Sequence, residues 1–296
     1  MPTRTLTLAF IAALLLSACT TTTSAPPRFV SDRISVDVRG SGPDVVLIPG
    51  LTGHREIWSD VAETLDDRYR LHLVQVNGFA GVPAGANAEG AVAAPVAEEL
   101  ARYIREAGLQ RPAVIGHSMG GTIGMMLAAR HPNTVGRLMV VDMVPFMGAM
   151  FGPAAATPEG LRTIADQTRT NILGSPLDQG FLSQMFSTMT MKADMVPMLT
   201  RHLRESDRNT VANAFHELIV TDLRPELSLI TAPVTVLYVV PAATPVPVTA
   251  EQHDASMKQL YANAAGARLL RIDDSRHFIH WDQPSRFVTE VDAFMK

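Results

Sequence analysis

Ser118 stands in Gly116-His117-Ser118-Met119-Gly120-Gly121, between one apolar run (Ala113 to Ile115) and another (Gly121 to Ala129). That order reads as a strand running straight into a helix. The join needs a sharp, strained turn, and glycines two residues either side of Ser118 let the backbones pass closely. Such a turn lifts the serine hydroxyl clear of the sheet. It also leaves the Met119 N–H at a helix N-terminus, where it can stabilise an oxyanion. A serine hydroxyl is a poor nucleophile at neutral pH, so it needs a base to take its proton during attack. Histidine suits that part because its pKa lies near the working pH and it can later protonate the leaving group. His117 lies inside the turn, with its side chain expected to point back from the nucleophile. His277 and His280 lie in Ser275-Arg276-His277-Phe278-Ile279-His280-Trp281-Asp282-Gln283-Pro284. As a metal pair these two would need further ligands that nothing in the sequence supplies.

The surrounding pattern says what must position these groups. Ile34 to Val38 alternates like an edge strand, and Asp44 to Ile48 is a continuous apolar run of the kind covered on both faces. Arg70 to Val76, the serine strand, Arg137 to Asp142, Val234 to Val240 and Arg268 to Ile272 read as further strands. Helices are expected around Trp58 to Leu65, Val92 to Glu106, after Ser118, and from Ser285 to Met295. The alternation predicts an α/β fold, a mostly parallel twisted sheet covered by helices on both faces. It stops between Met143 and about Arg224, where several helices are broken by glycines and prolines. An inserted helical cap over about 146–223 is expected there, above the end of the sheet that carries Ser118. It holds many of the fifteen methionines, among them Met147, Met150, Met185, Met189, Met191, Met195 and Met198. Methionine suits an adaptable apolar pocket, though the same residues also make ordinary core.

From Ile34 to the C-terminus the chain resembles the α/β-hydrolase family. The matching segments are Pro49-Gly50-Leu51, the turn around Ser118, and the run from Ser275 to Pro284. The resemblance implies that the Leu51 N–H joins that of Met119 in an oxyanion hole and that His277 is the base, with His280 packing or holding the loop. The family most often carries its acid just after the penultimate strand. Here Thr244 stands in that place, and no carboxylate occurs from Tyr238 to Ala250. The family's second location, after the strand following the nucleophile strand, holds Asp142. A carboxylate there would orient the His277 tautomer and keep the order serine, acid, histidine. Glu251, Asp254 or no acid at all are the alternatives.

The N-terminus reads as a targeting segment over 1–18: Arg4 is positive, and Leu6 to Leu16 is apolar but too short to span a bilayer comfortably. Leu16-Ser17-Ala18-Cys19 resembles the lipobox of bacterial lipoproteins, which implies lipid attachment at Cys19; an ordinary signal peptide with an incidental cysteine is the alternative. Cys19 is the only cysteine, so it forms no internal disulfide. Thr20 is not the aspartate that marks inner-membrane retention, which implies the outer membrane facing the periplasm. Residues 19–28 form a low-complexity tether, and 29–296 a hydrolase domain. With a net charge of −4 and no basic cluster, nucleic acid is not an expected partner.

The function expected is that of a serine hydrolase cleaving an ester, or a related acyl bond, in a small apolar substrate through an acyl-enzyme. No cofactor or metal is implied. A cofactor-free haloperoxidase or perhydrolase-like enzyme is one rival, since such relatives share the triad. A catalytically silent binding or sensor protein is another, supported by the missing acid at the usual place. The serine argues against the dehalogenase and epoxide-hydrolase branches, which use an aspartate there.

Overall fold

The computed structural model describes residues 29–155, 157–241 and 248–296. The targeting segment, Cys19, the tether to residue 28 and Thr244 lie outside the described residues. Seven strands form one sheet: β1 (Ile34–Arg39), β2 (Asp44–Ile48), β3 (Arg70–Val76), β4 (Ala113–His117), β5 (Arg137–Val141), β6 (Val234–Tyr238) and β7 (Arg268–Arg271). Their spatial order is β1-β3-β2-β4-β5-β6-β7. Only β1 runs antiparallel, against β3; every other pairing is parallel. The α/β architecture expected from the alternation is the one observed.

Each central strand buries both faces, which is why these runs lack a polar alternation. On one side Val46, Ile48, Val114, Val140 and Val236 meet α2 (Ala93–Glu106) and α3 (Met119–Arg130). On the other side Val45, Leu47, Ile115, Met139 and Leu237 meet α1 (Ser59–Leu65) and the closing helix, through Val61, Leu65, Phe287 and Val291. Helix α2 is amphipathic, burying Val96, Ala97, Leu100, Ala101 and Ile104 at helical spacing. Helix α3 is buried from Met119 to Ala129, which accounts for its apolar circumference.

Between β5 and β6 the chain builds α4 (Pro158–Gly174), α5 (Gln179–Ser187), α6 (Val196–Glu205) and α7 (Arg208–Val220). Three of them start on a capping side chain that accepts a backbone N–H: Thr157 from Gly160, Asp178 from Phe181 and Asp207 from Thr210. Helix α4 packs on α7, and α5 on α6. The two ends of the insert meet, since Phe146 and Asp222 form an antiparallel bridge and the Leu223 N–H donates to Pro145 O at 2.9 Å. After β6 come α8 (Ala250–Leu260), α9 (Ile279–Asp282) and α10 (Pro284–Met295). The sequence reading did not anticipate α8. Its residues are mostly polar and only Met257 is buried, so no apolar stripe announces it; a capping box at Thr249 and Gln252 starts it. Among the described residues no helix is long and apolar enough to cross a membrane.

Candidate active site

The turn after β4 is forced by contact. A Cβ on Gly116 would lie 2.1 Å from Gly120 O, and one on Gly120 would lie 2.3 Å from Ile48 O, so neither position admits a side chain. Ser118 itself takes φ 54°, ψ −123°, a conformation L-residues rarely adopt. Two backbone bonds hold it there: the Ser118 N–H to Val141 O at 2.9 Å, and the Gly121 N–H to Ser118 O at 2.7 Å. The serine is thereby presented at the C-terminal end of the sheet, at the head of α3.

Asp142 follows β5, the strand beside β4, and also takes a positive φ, 51°. Its N–H donates to Leu237 O at 2.8 Å, and its Oδ1 accepts the Val239 N–H at 3.1 Å. These bonds lock the carboxylate between the ends of β5 and β6. Its other oxygen, Oδ2, lies 2.6 Å from His277 Nδ1. A carboxylate only accepts, so Nδ1 carries the proton. Below this turn, the Tyr261 hydroxyl donates to Met143 O at 2.7 Å; burial first, then Asp142, raise its pKa and keep it a donor. Ser118 Oγ makes no hydrogen bond among the described residues, a contact that free enzymes commonly leave open until substrate arrives.

On the opposite side, the loop Pro49–Gly53 presses on the serine: a Cβ on Gly50 would come 3.0 Å from Ser118 Cβ. The loop turns through a Gly53 N–H to Gly50 O bond of 3.0 Å, with Thr52 at φ 62°. Neither the Leu51 nor the Met119 N–H has a backbone partner among the described residues.

Residues 43–284 match the family described as the alpha/beta hydrolase fold. The chain belongs to that family. It is 26% identical over 212 residues to a pimeloyl-[acyl-carrier protein] methyl ester esterase from Nitrosomonas europaea, covering 69% of this chain and 79% of the relative. To the enzyme of the same name from Aliivibrio fischeri it is 25% identical over 259 residues, covering 86% and 95%. Among solved structures, an esterase from Exiguobacterium antarcticum is similar with a TM-score of 0.72 at 20% identity, over 89% of this chain and 96% of that one. That last likeness bears on the fold alone.

In this α/β hydrolase the alternative acids are engaged elsewhere. Asp254 accepts from the Tyr238 hydroxyl at 2.8 Å and pairs with Arg271 at 2.6 Å, while Glu251 lies exposed in the first turn of α8. His280 is buried between Trp58, with ring centroids 4.6 Å apart, and His117, at 5.3 Å. Burial, with His277 nearby, lowers its pKa to about 3, so it is neutral and packs.

His117 does more than turn back from Ser118. Its Nε2 lies 3.0 Å from the carbonyl of His277, and the two rings are 4.5 Å apart. Since a carbonyl only accepts, Nε2 is the protonated nitrogen. Burial first, then the neighbouring histidines, hold its pKa well below the ordinary value. Its position between Gly116 and Ser118 gave no sign of this partner, which is 160 residues away.

The methionines divide. Met185, Met189, Met195 and Met198 pack against the apolar cluster that contains Phe186, Phe278 and Trp281, whereas Met150 and Met191 are exposed. Two surface concavities of about 360 and 470 Å³ lie on the insert, lined by Gln179, Arg201 and Arg204 and by Thr157, Arg162 and Asp166 respectively. None of Ser118, Asp142 and His277 lines either concavity. Among the described residues no three metal-ligating side chains converge.

Proposed function

We propose that this chain is an ester-bond hydrolase that works through an acyl-enzyme formed on Ser118. The contact of 2.6 Å between His277 Nδ1 and Asp142 Oδ2, one strand from the serine, carries the reading. With the Nδ1 proton held by the carboxylate, Nε2 takes the Ser118 proton as Oγ attacks the ester carbonyl. The carbonyl electron pair moves onto oxygen and is received by the Leu51 and Met119 N–H groups. Collapse of this adduct expels the alcohol, which leaves with the proton from Nε2. Water, deprotonated by the same nitrogen, then releases the acid and restores the serine. The curated relatives are methyl ester esterases, which favours an ester over other acyl bonds. The acyl group is small and apolar, facing the methionine-bordered side of the insert.

Two measurements test this. A fluorophosphonate probe should label wild-type protein once, at Ser118, and Ser118→Ala should lose both label and p-nitrophenyl ester turnover. Turnover retained in Ser118→Ala would remove the serine from the chemistry, and turnover that needs added peroxide would favour the perhydrolase reading. The same proposal places the enzyme in the cell envelope, held to the outer membrane by lipid on Cys19. Cys19→Ser should move the protein from the membrane fraction to the soluble one with its esterase activity kept. A variant that stays with membranes at wild-type levels rejects the anchor.

A further inference from the structure

The backbone of His277 is suspended between the sheet and the insert. On the sheet side its carbonyl accepts from His117 Nε2. On the insert side both of its chain neighbours are fastened to the segment that follows α5. The Phe278 N–H donates to Met189 O at 3.1 Å. The Arg276 N–H donates to Asp282 Oδ2 at 2.8 Å. Asp282 Oδ1 in turn accepts from Thr190 Oγ1 and from the Met191 N–H, both at 2.8 Å. The Arg276 guanidinium adds bonds to the carbonyls of Ser187 and Thr190, the latter at 3.1 Å. Thr190 is 2% exposed, so its hydroxyl bond to Asp282 is shielded from competing water.

We propose that Asp282 and Thr190 are positioning residues for the base, a clasp through which the seating of the insert sets where the His277 ring stands. This rests on the triad reading of the site. One carboxylate oxygen holds the insert, and the other holds the residue before the base. A shift of the 187–191 segment, such as an acyl chain would cause by pressing on Met185 or Met189, is therefore passed to His277 through two backbone positions. His117 keeps the sheet side fixed, so the motion becomes a rotation of the ring relative to Ser118 rather than a translation of the whole loop. Proton transfer depends steeply on that alignment, and displacement of about 1 Å can cost about 10²-fold in rate.

Thr190→Val removes two hydrogen bonds with little change of volume, the one donated to Asp282 and the one accepted from the Lys192 N–H at 3.0 Å, and Thr190→Ser keeps both. Steady-state hydrolysis of p-nitrophenyl acetate, too small to reach across the insert, separates positioning from substrate contact. Thr190→Val is expected to lower kcat about tenfold with KM within about twofold of wild type, and Asp282→Asn to lower it further. Thr190→Ser should return kcat to near the wild-type value. The thermal midpoint of Thr190→Val, read on the same sample, should stay close to that of wild type. A raised KM with kcat unchanged overturns the clasp, as does failure of Thr190→Ser to restore kcat. Wild-type kcat in both Thr190→Val and Asp282→Asn overturns it while leaving the triad intact. Turnover surviving in Ser118→Ala strikes the triad reading itself.

Discussion

At the turn around Ser118 position is fixed by exclusion, because a single added carbon at Gly116 or Gly120 would collide with backbone. Over the helical insert position is fixed by attachment. Glu217 of α7 receives the N–H groups of Val92, Ala93 and Ala94 at the start of α2, at 2.6, 2.7 and 2.9 Å. His202 of α6 meets Glu56, behind the Leu51 loop, at 2.5 Å. The Asp207 N–H donates to Gly78 O at 2.7 Å. Exclusion acts through backbone pressed on backbone, within the turn at Gly116 and against Ile48 at Gly120, and tolerates no substitution. Attachment joins residues more than a hundred positions apart, as with Glu217 and Val92 at 125, and it can be loosened one bond at a time. The outer helices α4 and α5 carry the contrast further, since α4 buries only Ala165 while Phe181 of α5 is exposed.

The largest effect that tests this contrast lies in the chemistry of the fixed region. Asp142→Asn should keep the fold and lower turnover by up to ~10⁴, because an amide favours the wrong imidazole tautomer. Glu251→Gln and Asp254→Asn should lose little. Near-normal rates for Asp142→Asn would move the acid elsewhere. Next comes exclusion itself. Gly120→Ala should destabilise by about 3 kcal/mol or more, or prevent folding, whereas Gly174→Ala, where a Cβ meets nothing within 4 Å, should not. Equal melting curves for the two alanine variants would refute the argument from contact.

Attachment should give a smaller and separable loss. Glu217→Gln keeps one acceptor but removes the charge from a helix N-terminus. A cost of about 2 kcal/mol in urea unfolding is expected, with the rate per folded molecule nearly unchanged. A fall in turnover as large as that of Asp142→Asn would mean that the insert's seating matters more than its stability.

An effect that vanishes at neutral pH lies beneath both regions, at the buried His280. Its folded pKa of about 3 is below the ordinary 6.5, so under pH 6.5 the unfolded chain binds a proton that the folded chain refuses. Stability should therefore fall as pH drops from about 6.5 toward 3, by up to about 1.4 kcal/mol per pH unit, and His117 adds in the same direction. His280→Phe should flatten that acid slope in unfolding midpoints between pH 7 and 5. An unchanged slope would assign the sensitivity to other groups.

The same contrast explains what could be read in advance. Buried strands announced themselves as apolar runs, and the Ser118 turn as glycines at fixed offsets, because both leave their mark in consecutive residues. The candidate acid was legible only indirectly, through the lack of a carboxylate from Tyr238 to Ala250 and the position of Asp142 after β5. The clasp at Asp282 and the seat of Glu217 gave no such sign. Each is one charged residue in a polar segment, and only the fold brings its partners within reach. The partner of His117 was illegible for the same reason, being the main chain of a distant loop rather than a side chain with a recognisable type.

The insert is closed at its base. It leaves the body at Pro145 and returns at Leu223, where the Phe146–Asp222 bridge and the Leu223 N–H to Pro145 O bond bring its ends together. From the side of the sheet, the whole segment occupies the span of a short hairpin. Its length then enters the closure entropy only logarithmically, and each doubling costs about 0.6 kcal/mol. The insert is in this sense a cassette. A different helical segment could be spliced between the same two residues without stretching β5 or β6, provided that it supplied its own partners for the N-terminus of α2 and for Asp282.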